Sequence, residues 1–333
     1  MARSPIQNKA GTVATTKRKQ KKEDSGRRFL DPKTIARISR LDVRARHVVA
    51  GFLAGLHKSP FFGYSVEFAQ HREYTSGDDI RHLDWKVWSK TDRFYVKQYE
   101  AETNLRCHLV LDVSESMHYG QGPLNKYEYA CTLGACLGYL QLKQQDSVGL
   151  MAFDESVRQI IPARSQHTHI DAVIGAMHVS RPRDKTNIEH VMRHVSESAP
   201  SRSMIVIISD LLLFDPEQEE QRGDLRRALE MLCHRRHDVL VFHVMDEDEL
   251  KFPFKGTTKF EGMEELPDLI CDPRALREGY LEALEEYLVE VRRTCTRLGV
   301  DYHLISTADY LDAVLSKFLH FRMALKGRST RGT

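Results

Sequence analysis

Oxygen-bearing side chains follow the first strongly apolar segment of this sequence. The apolar run 105–111 leads into Asp112, and two serines, Ser114 and Ser116, follow at alternate positions. An acidic residue directly after a buried strand, followed by two alternating hydroxyls, presents three oxygens to one side of a turn. Oxygens are the ligands that hard divalent cations such as Mg²⁺ and Ca²⁺ prefer. The spacing therefore indicates a cation site at the end of this strand.

Two further polar residues occupy comparable positions. Asp210 ends the most apolar run of the chain, 204–209, and Thr186 opens a predicted helix. A plainer interpretation exists for each of these residues and for both serines, because Ser, Thr and Asp are preferred helix N-caps. Glu189, three residues after Thr186, would complete a capping box. The residues alone leave helix capping and metal binding both open.

Alternating strand and helix patterns position these residues. Strands are predicted at 105–111, 147–153, 204–209, 239–245 and 300–305. Helices are predicted at about 125–145, 167–179, 187–198, 216–235, 274–298 and 308–325. Apolar strands separated by amphipathic helices are typical of an α/β fold with a mostly parallel sheet and helices on both faces. Ligands bind such folds beyond the carboxyl ends of the strands, where these polar residues lie.

The N-terminal third of the chain has a different composition. Residues 1–28 hold nine Lys or Arg and only two acidic residues, and they predict a disordered basic tail. Such a tail can bind nucleic acid electrostatically, but a solvated tail is the interpretation we prefer. Residues 29–100 predict a small helical and β-rich unit, 101–325 the α/β domain, and 326–333 a second tail.

Bulk composition narrows the class of protein. The chain has 333 residues, 41% hydrophobic and 29% charged, with a formal net charge of +2, as in ordinary globular proteins. We expect no membrane insertion and no secretion signal, since no apolar run reaches the roughly 18 to 20 residues that a spanning helix needs. Six dispersed cysteines predict reduced thiols and a cytoplasmic location. The chain has neither the phosphate-binding loop nor the dinucleotide-binding glycine motif, so we expect no nucleotide site.

The five polar residues Asp112, Ser114, Ser116, Thr186 and Asp210 together resemble, in order and spacing, the metal-ion-dependent adhesion site of von Willebrand factor A-like domains. Residues 71–86, followed by 96–100, resemble the signature of a bacterial domain-of-unknown-function family. Members of that family carry such an A domain and are typically encoded beside MoxR-type AAA+ ATPases. The resemblance extends over about residues 35–325.

The resemblance implies a role for each site residue. Ser114, Ser116 and Thr186 would contact Mg²⁺, or Mn²⁺ or Ca²⁺, directly or through water, while Asp112 and Asp210 supply negative charge. An Asp or Glu of a partner protein would fill the remaining coordination position. The chain would then be an adaptor or assembly factor rather than an enzyme. Its partners would be a MoxR-type ATPase and a client protein with an acidic contact residue, and nucleic acid is not expected among them.

A Mg²⁺-dependent phosphohydrolase with Asp112 as nucleophile is the alternative function. Phosphatases of the haloacid dehalogenase type usually place a second Asp two residues after the nucleophile as the acid or base, whereas this chain has Ser114. A serine hydroxyl is a poor proton donor at neutral pH. Such an enzyme would also need a lysine, for which Lys185 is a candidate. These differences favour binding over catalysis.

Residues 71–86 carry a second concentration of polar side chains. Within positions 71–84, the charged or ionisable residues include His71, Arg72, Asp78, Asp79, Arg81, His82 and Asp84. A hydrophobic core does not require such a set. Structural ion pairing and a second functional surface both remain open, and we prefer ion pairing because Trp85 and Trp88 indicate packing of the same segment.

Overall fold

The computed structural model describes residues 40–56, 71–74, 88–89, 93–97, 105–120, 122–179, 188–211, 219–263 and 268–319. These residues divide between two compact units, Met1–Phe52 with Leu105–Thr333 and Leu53–Asn104. Both predicted tails lie outside the described residues, as does most of the segment 71–86. Among the described helices, none combines the length and the apolar character that crossing a bilayer would require.

The smaller unit contains a short antiparallel strand pair. Strand β1 (His71–Glu73) pairs with β2 (Tyr95–Lys97). The backbone N–H of Tyr74 donates to the carbonyl of Phe94 at 2.9 Å, and the ring of Trp88 stacks on that of Phe94 with 5.8 Å between ring centroids. The described part of this unit therefore contains a two-stranded antiparallel ladder with an aromatic contact beside it.

The larger unit is built on a six-stranded sheet. Its strands are β3 (Arg106–Asp112), β4 (Ser147–Phe153), β5 (Val157–Arg164), β6 (Met204–Ser209), β7 (Asp238–Met245) and β10 (Asp301–Ser306). They lie in the order β10-β7-β6-β3-β4-β5, and every neighbouring pair is parallel except β4 with β5. The chain first runs from β3 towards β5 and then returns to place β6 on the other side of β3. The carboxyl ends of β3 and β6 meet at this switch point, which is where open α/β folds bind ligands.

Helices cover both faces of this sheet. They are α1 (Leu41–Leu56), α2 (Lys126–Lys143), α3 (His169–Val179), α4 (Ile188–Ser198), α5 (Glu219–His234), α6 (Glu247–Lys251), α7 (Pro273–Leu298) and the final helix, 311–319. One apolar core joins Val110 and Ile207 of the sheet to Val191 of α4 and Leu229 of α5. On the opposite face, Ile208 lies against α2 at Gly134. Burial from both sides explains why residues 204–208 of β6 are uniformly apolar.

The sequence patterns place the parallel strands within one residue of their observed ends but miss β5. The residues of β5 alternate between half-buried and exposed, so they form no apolar run. Pro162 also lies within this strand, which is tolerated because β5 is at the edge of the sheet. A second short hairpin, β8 (Thr258–Phe260) with β9 (Leu269–Cys271), follows α6. The α/β class with a mostly parallel sheet is as predicted.

The pairing of β5 depends on a glycine in β4. A Cβ atom added at Gly149 would lie 2.8 Å from the carbonyl oxygen of Ile161 and 3.0 Å from the backbone nitrogen of Ala163. Because both contacts are with backbone, β5 must move as a whole to relieve them. We expect Gly149→Ala to lower the free energy of unfolding by about 1–3 kcal/mol, measured by urea denaturation.

Gly175 in α3 provides the matched control, because a Cβ atom added there meets nothing within 4 Å. Gly175→Ala should raise stability by about 0.5–1 kcal/mol, the ordinary helix preference of Ala over Gly. If both variants changed stability by the same amount and sign, close approach of β5 to Gly149 would not be the cause.

Candidate metal site

Asp112 lies at the carboxyl end of β3 with its side chain fully buried. One carboxylate oxygen, Oδ1, accepts a hydrogen bond from the backbone N–H of Ser114 at 2.9 Å, which closes the turn that follows the strand. The other, Oδ2, accepts a hydrogen bond from the hydroxyl of Ser209, at the end of the neighbouring strand β6. Asp112 thus ties together the carboxyl ends of the neighbouring strands β3 and β6.

The two serines after Asp112 direct their hydroxyls to the same place. Ser114 and Ser116 are buried, and their Oγ atoms lie 3.0 Å apart. Ser114 has the N-cap position of a 3₁₀ turn, Glu115–His118, but its side chain makes no capping hydrogen bond. The longer helix α2 is capped by Asn125, whose side chain accepts a hydrogen bond from Glu128 N–H at 2.8 Å. Capping therefore does not account for either serine.

Asp210 lies directly after β6 and is also buried. The turn that carries it is fixed by Ser209, whose Oγ accepts a hydrogen bond from the backbone N–H of Leu211 at 2.9 Å. Leu211 has a φ of 48°, in the left-handed region that non-glycine residues rarely adopt. The hydroxyl of Tyr287, from α7, donates to the carbonyl of Leu211 and holds this conformation. Such locally strained backbone is common at functional sites.

A buried lysine that the sequence analysis did not identify completes the cluster. Lys126, the first residue of α2, is fully buried, and its Nζ lies 2.7 Å from Asp210 Oδ2 and 2.7 Å from Glu249 Oε1. Burial alone would disfavour the ammonium group, but the charges of Asp210 and Glu249 outweigh it and raise the pKa of Lys126. This lysine therefore carries a full positive charge at neutral pH.

The electrostatic balance differs between the two aspartates. Within the described residues Asp210 is paired with Lys126, whereas Asp112 contacts no basic side chain. Burial first, and then the negative charge of Asp210, raise the pKa of Asp112 to about 7, while hydrogen bonds from Ser209 and Ser114 oppose the rise. A buried carboxylate with no counter-charge is unfavourable unless a cation compensates it.

The donor set fits a hard cation. The carboxylates of Asp112 and Asp210 and the hydroxyls of Ser114 and Ser116 lie at the carboxyl edge of the sheet. Hard divalent cations take oxygen ligands of this kind. Among the described residues no group of three His, Cys, Asp or Glu forms a ready metal cage. A cation here would therefore depend on hydroxyls and on water. Asp112, Ser114, Ser116 and Asp210 lie at this edge as the sequence analysis expects, whereas Thr186 and Lys185 lie outside the described residues.

Comparison with known proteins places the chain in a family. Residues 70–287 match the profile of DUF58, a family described as "Protein of unknown function DUF58". The chain belongs to the DUF58 family. That match includes β3 and β6, and with them the four described site residues of this DUF58 chain.

Two mycobacterial proteins are relatives of similar length. The DUF58 chain is 27% identical over 276 residues to the uncharacterized proteins Mb1516 of Mycobacterium bovis and Rv1480 of Mycobacterium tuberculosis. Each alignment covers 81% of this chain and 83% of the relative.

Among solved structures, the matches have low identity and low TM-scores. BatB from Bacteroides thetaiotaomicron matches with a TM-score of 0.43 at 16% identity, over 66% of this chain and 99% of that one. The PilB minor pilin from Streptococcus sanguinis matches with a TM-score of 0.39 at 11% identity, over 70% of this chain and 64% of that one.

Proposed function

We propose that this protein is a von Willebrand factor A-like adaptor that binds an acidic residue of a partner through a divalent cation at Asp112, Ser114, Ser116, Thr186 and Asp210. The observation that carries the proposal is the state of Asp112: it is buried, has no basic partner among the described residues, and lies beside two serine hydroxyls 3.0 Å apart. A divalent cation would supply the missing positive charge and, through an open coordination position, accept a partner's carboxylate.

The residues of this chain prepare the site for that role. Ser209 and the backbone N–H of Ser114 hold the carboxylate of Asp112 in one orientation. The serine hydroxyls are neutral ligands, so they leave a bound cation with strong attraction for an outside carboxylate. A mostly parallel sheet with helices on both faces is also the fold that the resemblance implies. The proposed partners, a MoxR-type AAA+ ATPase and an acidic client protein, come from the resemblance of residues 71–86 and 96–100.

Removal of the two hydroxyls tests the metal site directly. We expect calorimetric titration of Mg²⁺ or Mn²⁺ into EDTA-stripped protein to give saturable binding of one ion. Ser114→Ala/Ser116→Ala, which leaves every charge in place, should weaken that binding by roughly tenfold or more, equivalent to about 1.4 kcal/mol. Binding of Mg²⁺ with equal affinity by parent and variant would contradict the assignment of these ligands.

Co-purification with the MoxR-type ATPase in Mg²⁺, but not in EDTA, would test the partner.

A phosphohydrolase is the second candidate, and Lys126 is the observation in its favour, since such an enzyme needs a buried lysine at the site. The ammonium group of Lys126 is engaged by Asp210 and Glu249 rather than by Asp112. If the protein were a phosphohydrolase, it would hydrolyse small phosphoesters in Mg²⁺, and Asp112→Asn would abolish the turnover. No turnover by the parent would leave cation-dependent binding as the function to pursue.

A further inference from the structure

Lys126 occupies a position that local helix energetics disfavour. It is the first residue of α2, and a positive charge in the first helical turn opposes the helix dipole. The side chain is also fully buried, which removes the hydration of the ammonium group. Neither the helix nor the apolar core gains from a lysine here. Its contribution must come from the carboxylates that it contacts.

The backbone and neighbouring groups hold Lys126 in place. Its N–H donates to the carbonyl of Tyr119 at 3.0 Å, and its Nζ lies 5.8 Å from the centre of the Tyr119 ring. Asn125, directly before it, caps the helix. The ammonium group is thus delivered to Asp210 by a rigid helix start, and its position does not depend on a flexible surface side chain.

Glu249, the second carboxylate partner of Lys126, has a structural role of its own. Its Oε2 accepts a hydrogen bond from the backbone N–H of Asp246 at 2.7 Å, as part of the capping box that begins α6. Asp246 in turn accepts a hydrogen bond from Thr307 Oγ1 at 2.7 Å. Glu249 is therefore fixed by α6, and Lys126 bridges it to Asp210.

From this arrangement we propose that Lys126 is a built-in counter-cation that competes with the divalent ion for Asp210 and so limits the affinity of the site for metal. This inference rests on the proposed metal site. The ammonium group occupies Oδ2 of Asp210 and repels any cation that approaches this carboxylate. A divalent ion then binds weakly by itself and is retained when the carboxylate of a partner adds negative charge. Lys126 is a positioning residue that makes tight metal binding depend on the partner.

A four-protein comparison separates this direct competition from a general effect of charge. The proteins are the parent, Lys126→Met, Glu249→Gln and the double variant Lys126→Met/Glu249→Gln. The double variant has the same net charge as the parent, but Asp210 is released from its ammonium partner. We expect calorimetry to show Mg²⁺ binding by the double variant that is roughly tenfold or more tighter than by the parent. Glu249→Gln alone should bind Mg²⁺ more weakly than the parent, since it loses a negative charge.

Each outcome decides the matter. Equal Mg²⁺ affinity of parent and double variant would mean that only net charge matters and would overturn the competition. Weaker binding by the double variant would make Lys126 a support of the metal site and would also overturn it. The double variant keeps the test valid if Lys126→Met alone fails to fold. If none of the four proteins bound Mg²⁺, and Ser114→Ala/Ser116→Ala gave the same calorimetric trace as the parent, the metal site itself would be rejected.

Discussion

Asp112→Asn is expected to make the metal-free protein more stable at pH 8 while it abolishes the response to Mg²⁺. Asn has the shape of Asp, and its amide oxygen can still accept the hydrogen bond from Ser114 N–H. Its NH₂ group can donate to Ser209 Oγ, whereas in the parent the Ser209 hydroxyl donates to Asp112. What it removes is a buried negative charge near that of Asp210. Since a difference of one in pKa corresponds to about 1.4 kcal/mol, the rise from 3.8 to about 7 makes the gain on the order of 4 kcal/mol, measured by urea denaturation in EDTA.

The pH dependence of this gain follows from the pKa of Asp112, which is raised from 3.8 to about 7. Below about pH 3 the carboxyl is protonated in both the folded and the unfolded state, so it makes no difference to the stability of parent and variant. The folded parent loses stability as pH rises from about 4 to 7, because the unfolded state ionises first. The advantage of Asp112→Asn should therefore be absent near pH 3 and nearly complete by pH 8.

Asp154 supplies a control of the same type one strand away. It is fully buried directly after β4, but it forms an ion pair with Arg158. Asp154→Asn should lower stability, because it removes a compensated charge from a pair. If Asp112→Asn also lowered stability at pH 8 in EDTA, the carboxylate of Asp112 would stabilise the metal-free fold. The expectation that this buried charge destabilises the metal-free protein would then be wrong.

The sequence predicts the central strands well because their burial is complete. Runs such as 204–209 are covered by helices on both faces and contain only residues that tolerate full burial. The edge strand β5 escapes this criterion, since one of its faces is exposed and its neighbour β4 must carry Gly149 to let it approach. The pairing of an edge strand depends on contacts between backbones, and the pattern of apolar residues in the sequence does not predict such contacts.

The same distinction applies to the candidate site. Asp112, Ser114 and Ser116 follow one strand and are recognisable by spacing alone. Lys126 lies 84 residues before Asp210, and Glu249 lies 123 residues after Lys126. Only the folded sheet brings the three side chains together. Each also has an ordinary local interpretation, as a polar residue in the first turn of a helix. A signal for them would have required knowledge that α2 and α6 both begin at the carboxyl edge of the sheet.

Acid should destabilise this protein in part through His108, which lies near the amino end of β3 and away from the candidate metal site. His108 is buried near the start of β3, and burial first, then the proximity of His237 and Arg106, lower its pKa from 6.5 to about 4. The unfolded chain therefore binds a proton between pH 6.5 and pH 4 that the folded protein does not. Stability that is present above pH 6.5 is lost as pH falls through this range, by on the order of 3 kcal/mol for this one residue.

Urea denaturation at pH 7.5 and pH 4.5 measures this loss, and NMR titration of the imidazole of His108 reports its pKa directly. His108→Gln should remove part of the pH dependence but not all of it, because burial also lowers the pKa of His243 to about 4. His194→Gln, a change at an exposed position on α4, is the control and should leave the pH dependence unchanged. Retention of the full dependence by His108→Gln would contradict the assignment.

The location of His108 separates this acid response from the metal site. His108 and Asp112 are four residues apart on one strand, about 13 Å at 3.3 Å per residue. The two groups also respond in opposite directions, since stability falls with rising pH through Asp112 and with falling pH through His108. Addition of Mg²⁺ should therefore remove the loss at high pH and leave in place the part of the low-pH loss that depends on His108, which a pH series with and without the ion would resolve.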